Sequence, residues 1–141
     1  MRHVLRKLYV LPLSPVLGVI SPTIREAIAE SKNNRFGVIG MRRTIESNIY
    51  EKQLLQIQNN AIVINNACQQ LVTLVEKGNN NNEIIRECLQ PFIDAPVDVL
   101  ILACTHFPFL RKAIQDILPN AFLVGGASAV ARELKDRLEK D

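Results

Sequence analysis

The sequence predicts an α/β protein with a doubly wound parallel sheet, and two observations support that prediction. Short runs rich in Val, Ile and Leu alternate along the chain with segments whose apolar residues recur at helical spacing. The run at residues 97–103 is apolar at every position except Asp98, as in a parallel strand that is buried on both faces. Cys104 and His106 follow it, so we expect both side chains at the carboxyl end of a central strand, where open α/β sheets bind ligands.

The other strands and helices are predicted from the spacing of apolar residues and from the positions of turn residues. Residues 16–20 form an apolar run that we predict to be the first strand, and a helix begins after Pro22. Thr44 is expected to cap the helix after the second strand, because a threonine hydroxyl accepts hydrogen bonds from backbone N–H groups. Gly78 and the asparagine run behind it mark a loop. The predicted strands are residues 16–20, 35–40, 61–64, 97–103 and 121–124, and a last helix is predicted at 129–140.

Composition argues against several functional classes. The 141 residues are 48% hydrophobic and 22% charged, which describes a globular domain with its own core. The net charge of +3, with few aromatic residues among the basic ones, does not favour a nucleic-acid partner. Pro12 and Pro15 interrupt a short apolar stretch near the start, so we expect no membrane span and a cytoplasmic location. Three widely spaced cysteines are typical of a reducing compartment, and Cys88 is predicted to be a small buried hydrophobe.

A thiol and an imidazole one residue apart suggest acid/base or nucleophilic chemistry at Cys104 and His106. Two plainer interpretations stay open, since Cys104 can be a core thiol and His106 can cap the next helix. A zinc site is not favoured, because no Cys-x-x-Cys spacing accompanies the pair. Gly125 and Gly126 before Ser128 lack the full glycine pattern of a phosphate-binding loop.

Four segments occur in the order and spacing of one family. They are VLGVISP at 16–22, GVIG at 37–40 with Thr44, Ser47 and Tyr50 behind it, AC at 67–68 followed by LVEKG at 74–78, and LACTHFP at 102–108. By these segments the chain resembles the glutamate racemases of bacterial cell-wall synthesis, and the Cys-Thr-His-aromatic-Pro block is the most specific of them. The resemblance begins near Leu13 and implies an isomerase that supplies D-glutamate for peptidoglycan.

The family enzyme has two similar α/β domains that face each other across the substrate, and each contributes one catalytic cysteine. The resemblance therefore implies that residues 13–126 are the second of these domains, with a flavodoxin-like sheet. Residues 1–12 would be a remnant of the helix that follows the first domain's thiol. Residues 127–141 would form a C-terminal helix that packs on the first domain. We expect this chain alone to lack full activity.

The resemblance also implies roles for individual residues. Cys104 would be the acid or base on one face of glutamate, and His106 would hold or protonate groups near the reacting centre. Thr105 would offer its hydroxyl and amide to a substrate carboxylate, and Thr44 would line the pocket wall. Glu76 matches an acid near the substrate ammonium or the second thiol, with a solvated helix-end charge as its alternative. No cofactor is implied, because the family works without pyridoxal phosphate or metal.

Two departures from the family bear on these expectations. Gln69 follows Cys68, which matches a structural cysteine of the family, where the family has proline. Gly125 and Gly126 stand near the last strand where the family has an acid. The alternatives to a truncated racemase are a non-catalytic α/β binding module or remnant, and half of a split racemase whose other chain supplies the first domain. A homodimer would cover the apolar face that a missing first domain leaves exposed, and it would not restore the site.

Overall fold

The computed structural model describes residues 15–78, 82–104 and 107–125. Strands and helices alternate along these residues, which confirms the predicted α/β class. The elements are α1 (Pro15–Glu30), β1 (Arg35–Gly40), α2 (Arg42–Glu46), α3 (Ile49–Ile57), β2 (Ile62–Ala67), α4 (Gln69–Glu76), α5 (Asn82–Asp94), β3 (Val99–Ala103), a 3-10 helix (Phe107–Leu110), α6 (Arg111–Ile117) and β4 (Phe122–Gly125).

The four described strands form one parallel sheet in the order β2-β1-β3-β4. From β1 the chain moves first to β2 on one side and then returns to β3 on the other. The boundary between β1 and β3 is therefore the topological switch point, where doubly wound sheets bind their ligands. This strand order is the flavodoxin-like one and confirms the predicted doubly wound sheet.

Alternating side chains of β3 divide the core into two layers. Leu100 and Leu102 pack with residues of α4, α5 and α6 on one face of the sheet. Val99 and Ile101 pack with residues of α1 and α3 on the other face. All four are at most 1% exposed, and full burial of such a side chain contributes roughly 1.5–3 kcal/mol. Burial on both faces explains why this strand is a continuous apolar run in the sequence.

A glycine in β1 allows α5 to lie close to the sheet. A Cβ atom at Gly37 would lie 2.8 Å from two ring atoms of Phe92 and 2.9 Å from Cδ1 of Leu100. Both neighbours are fully buried, so they have little room to move. Packing rather than backbone conformation therefore requires glycine at this position.

The predicted strand at residues 16–20 is wrong, because this run lies within α1. Ile20, Ile24 and Ala27 are buried at helical spacing and form one face of α1 against the sheet. Pro15 stands at the first position of the helix, where its missing N–H removes no intrahelical hydrogen bond. A short apolar run alone does not distinguish a strand from part of a buried helix.

The predicted cap at Thr44 is also wrong. Thr44 lies inside α2, and the N-cap position is occupied by Met41, which makes no side-chain cap hydrogen bond. Asn48, with a φ of 55°, separates α2 from α3, so the predicted single helix is two helices. The predicted helix at 129–140 lies outside the described residues, as do residues 1–12 and 127–141. None of the described helices is long and apolar enough to cross a membrane.

Candidate functional site

The candidate site lies at the switch point, where the carboxyl ends of β1 and β3 meet. Gly40 ends β1 and pairs in register with Ala103, which ends β3. A Cβ atom on Gly40 would lie 3.3 Å from the Cβ of Ala103, so the glycine keeps the two strand ends close together. Cys104 follows directly and is half-buried. Its position at the end of a central strand is the one predicted from the sequence, and its chemical role stays a prediction.

Hydrogen bonds tie the 3-10 helix and the start of α6 to this part of the sheet. The backbone N–H of Phe107 donates to the carbonyl oxygen of Cys104 at 3.2 Å, and the Phe107 ring is fully buried. The 3-10 helix comes first in the segment after β3, and α6 begins at Arg111, three residues after Pro108. Arg111 donates from Nη2 to the carbonyl oxygen of Leu123 at 2.9 Å, which ties the start of α6 to β4.

Thr44 lies at the same edge of the sheet as Cys104. The helix that carries it, α2, sits on the end of β1, since Cδ1 of Ile45 lies 3.5 Å from a Cβ built on Gly40. Thr44 is half-buried, and its carbonyl oxygen accepts a hydrogen bond of 2.6 Å from the Ser47 hydroxyl. The structure therefore brings Thr44 and Cys104 to neighbouring strand ends.

Two hydrogen bonds join the loop after β1 to the end of β2. The N–H of Cys68 donates to the carbonyl oxygen of Gly40 at 2.8 Å. The N–H of Arg42 donates to Oε1 of Gln69 at 3.0 Å. This second bond spans 27 residues, and sequence reasoning did not include Gln69 in the site. The one signal that pointed to it was its departure from the family's proline.

The other two cysteines are core residues, as predicted. Cys68 is 0% exposed and Cys88 is 1% exposed. The side-chain amide of Asn66 donates to the carbonyl oxygen of Cys88 at 2.7 Å and lies 3.6 Å from Sγ of Cys68. The hydrogen bond with the Cys88 thiol and then burial raise the pKa of Cys68, so this thiol stays neutral. Cys104 is the most accessible of the three thiols.

Glu76 is the last residue of α4, and its side chain is exposed. The helix packs against α5 and against the 3-10 helix that follows Cys104, so Glu76 belongs to an element that borders the site. Gly78, with a φ of 64°, ends the helix and donates its N–H to the carbonyl oxygen of Val75 at 3.1 Å. The other two predicted site residues, Thr105 and His106, lie outside the described residues.

Two basic side chains lie on α2 at the carboxyl edge of the sheet. Arg42 and Arg43 are exposed on α2 at the same edge of the sheet as Cys104, and cations at a site attract anionic ligands. In the described parts of the chain, no group of three or more His, Cys, Asp or Glu side chains is placed to hold a metal ion.

Curated relatives and a family model match most of the chain. The family model described as Asp/Glu/Hydantoin racemase matches residues 3–134. The glutamate racemase of Aquifex aeolicus is 38% identical over 130 residues, a match that covers 90% of this chain and 50% of that protein. The glutamate racemase of Shouchella clausii is 40% identical over 128 residues, with 88% and 46% covered. The chain thus spans about half the length of the curated relatives it matches.

Solved structures agree with the fold. Glutamate racemase isoform RacE1 from Bacillus anthracis superposes with a TM-score of 0.79 at 35% identity, over 86% of this chain and 48% of that one. The enzyme from Francisella tularensis, solved in complex with D-glutamate, gives a TM-score of 0.75 at 28% identity, over 86% and 46%. Sequence, strand order and family model agree, and the chain belongs to the Asp/Glu/hydantoin racemase family.

Proposed function

We propose that this chain is one catalytic half of a cofactor-independent glutamate racemase. The observation that carries the proposal is the half-buried thiol of Cys104 at the switch point of a sheet of this family. Glutamate is the substrate that best fits, because the curated relatives are named glutamate racemases and one solved neighbour holds D-glutamate. The product D-glutamate would serve peptidoglycan synthesis in the cytoplasm.

Racemisation needs two groups on opposite faces of the α-carbon. One removes the α-proton, and the other returns a proton to the opposite face. In our proposal the Cys104 thiolate takes the proton in one direction, and the Cys104 thiol gives it back in the other. The exposed cations of α2 would attract the anionic substrate to this edge of the sheet. Thr105 would bind the substrate carboxylate, where negative charge develops as the proton leaves, and Thr44 would line the wall of the substrate pocket.

His106 and Glu76 would complete this half of the site. His106 would hold or protonate groups near the reacting centre, and Glu76 would bind the substrate ammonium or act on the second thiol. Since Cys68 and Cys88 are core residues, we assign the opposing thiol to a first domain that this sequence does not span. Residues 13–126 would then be the second domain, residues 127–141 would pack on the first, and residues 1–12 would follow its thiol motif. The first domain would come from the same protein or from a separate chain.

The test is deuterium incorporation at the α-carbon of L- and D-glutamate in heavy water. We expect the 141-residue chain to exchange the α-proton of one enantiomer slowly, without full conversion to the other. Cys104→Ser should lower this exchange by about 10²–10⁴-fold, the usual contribution of a general acid or base. Thr73→Ala, at an exposed position of α4, is the control and should leave exchange unchanged.

Two results would contradict the proposal. Exchange that survives in Cys104→Ser would show that this thiol is not the base. Full racemisation by the isolated chain would show that the first domain is not needed.

A non-catalytic α/β module is the second candidate function. Gly125 closes β4 where the resemblance leads us to expect an acid. Calorimetric titration with both glutamate enantiomers separates the two candidates. Binding without any exchange that depends on Cys104 would favour the module.

A further inference from the structure

The helix that carries Thr44 has no cap of its own. The first N–H groups of any helix lack intrahelical partners. In α2 the N-cap residue is Met41, whose thioether is at best a weak acceptor, and it makes no side-chain cap hydrogen bond. The N–H of Arg42, the first residue of α2, donates instead to Oε1 of Gln69 at 3.0 Å. The side-chain amide of Gln69, on a different helix, thus satisfies one of the N–H groups that have no partner within α2.

In α2 only Thr44 and Ile45 are half-buried, and Ile45 packs against the core, so the hydrogen bond to Gln69 adds a second attachment for this helix. The helix is five residues long and contains no buried residue. Gln69 is well placed to hold it, because Gln69 is the first residue of α4 and follows Cys68 directly. The N–H of Cys68 is itself bound to the carbonyl oxygen of Gly40 at 2.8 Å. The acceptor on Gln69 is therefore fixed relative to the end of β1, from which α2 departs.

We propose that Gln69 is a positioning residue, whose side-chain oxygen caps α2 and thereby holds Thr44 at the edge of the sheet where Cys104 lies. The role of Thr44 in this inference rests on the proposed function, whereas the capping of α2 does not. Gln69 stands where the resembling family has proline. Proline is well tolerated at the first position of a helix but offers no side-chain acceptor, so this chain uses the position differently.

Three substitutions at Gln69 separate capping from general stability. Gln69→Leu keeps the approximate size of the side chain and removes the acceptor, and Gln69→Glu keeps an acceptor oxygen. Gln69→Pro removes the acceptor at a position where proline favours the helix, so α4 should stay folded. Gln70→Leu, at the exposed neighbouring position, is the matched control.

The first measurement is amide hydrogen exchange of the full chain without ligand. Loss of one net hydrogen bond speeds local opening by about fivefold. We expect this increase at Arg42 and its neighbours in α2 for Gln69→Leu and Gln69→Pro, and near wild-type exchange for Gln69→Glu and Gln70→Leu. The thermal midpoint of Gln69→Pro should match that of the wild type. Unchanged exchange of α2 in Gln69→Leu would overturn the proposal.

The second measurement is the response of the Thr44 amide signal to added L- and D-glutamate, with the α-deuteration rate alongside. Gln69→Leu and Gln69→Pro should weaken both by a similar factor, and Gln69→Glu should restore them. A loosened α2 with an unchanged glutamate response would overturn the positioning role. A wild-type chain that does not respond to glutamate would count against the proposed function, and the exchange of α2 would still decide whether Gln69 caps it.

Discussion

At the amino edge of the sheet the carboxylate of Asp98 accepts hydrogen bonds from several donors. At the carboxyl edge, by contrast, the central strand β3 is followed by the half-buried thiol of Cys104. Asp98, just before β3, fixes the loop that leads from α1 into β1. The side chain of Asp98 accepts hydrogen bonds from the Ser31 hydroxyl at 2.9 Å, from the N–H groups of Asn33 at 2.7 Å and Arg35 at 3.1 Å, and from the N–H of Lys32. Its backbone also bonds to Arg35 and Phe122, which places β1, β3 and β4 in register.

The hydrogen bonds at the amino edge stabilise the charged form of the Asp98 carboxyl. Partial burial alone would raise the pKa of this carboxyl, but the four donors outweigh it and the pKa lies below its ordinary value. The carboxyl edge has a different construction, in which Gly40 and Ala103 approach closely and α2 has no buried residue. The two edges therefore differ in role: hydrogen bonds at the amino edge stabilise the fold, and the proposed chemistry lies at the carboxyl edge. Such a division is common when a rigid scaffold carries functional loops.

Truncation of Asp98 should give the largest loss of stability. Asp98→Ala removes the shared acceptor of four hydrogen bonds, and hydrogen bonds to charged groups contribute about 1.5–3 kcal/mol each. Because the carboxyl is partly exposed, water would replace some of these hydrogen bonds in the variant. We therefore expect a loss of about 2–3 kcal/mol in the free energy of unfolding. Urea denaturation measures it, with exposed Asp116→Ala as the control. A loss as small as that of the control would remove the contrast between the two edges.

A smaller effect should appear as pH dependence. Because the folded pKa of Asp98 is lowered, its charge stabilises the protein fully above the unfolded value of about 3.9. The stabilisation is lost as pH falls through the lower folded pKa. The difference in unfolding free energy between wild type and Asp98→Asn should therefore be constant from neutral pH to about pH 5 and narrow below about pH 4. The difference for Asp116→Asn should not change in this way, and a constant difference for Asp98→Asn would contradict the assignment.

The sequence predicted the central part of this molecule well. Strand β3 is buried on both faces, so its apolar run reflects tertiary structure directly, and the position of Cys104 after it followed. The strand predicted at residues 16–20 was wrong because a short apolar run resembles a strand, although buried residues continue from it at helical spacing to Ala27.

Other features depend on contacts that no local pattern contains. The cap of α2 joins Arg42 to Gln69, which are 27 residues apart. The hydrogen bonds to the Asp98 side chain span 63 to 67 residues. Such contacts arise when parallel strands bring distant loops to one edge, so propensity and periodicity do not reveal them.

The smallest effect on stability is expected for Cys104→Ser. The side chain is half-buried at the edge of the core, and serine has a similar size, so the free energy of unfolding should change by less than about 0.5 kcal/mol. Cys68→Ser is the contrast, because it places a hydroxyl in a site that is 0% exposed, and we expect a loss of about 1–3 kcal/mol. Denaturation of both variants measures the difference. Equal losses would make Cys104 a core thiol like Cys68, and the separation of stability from chemistry at this edge would fail.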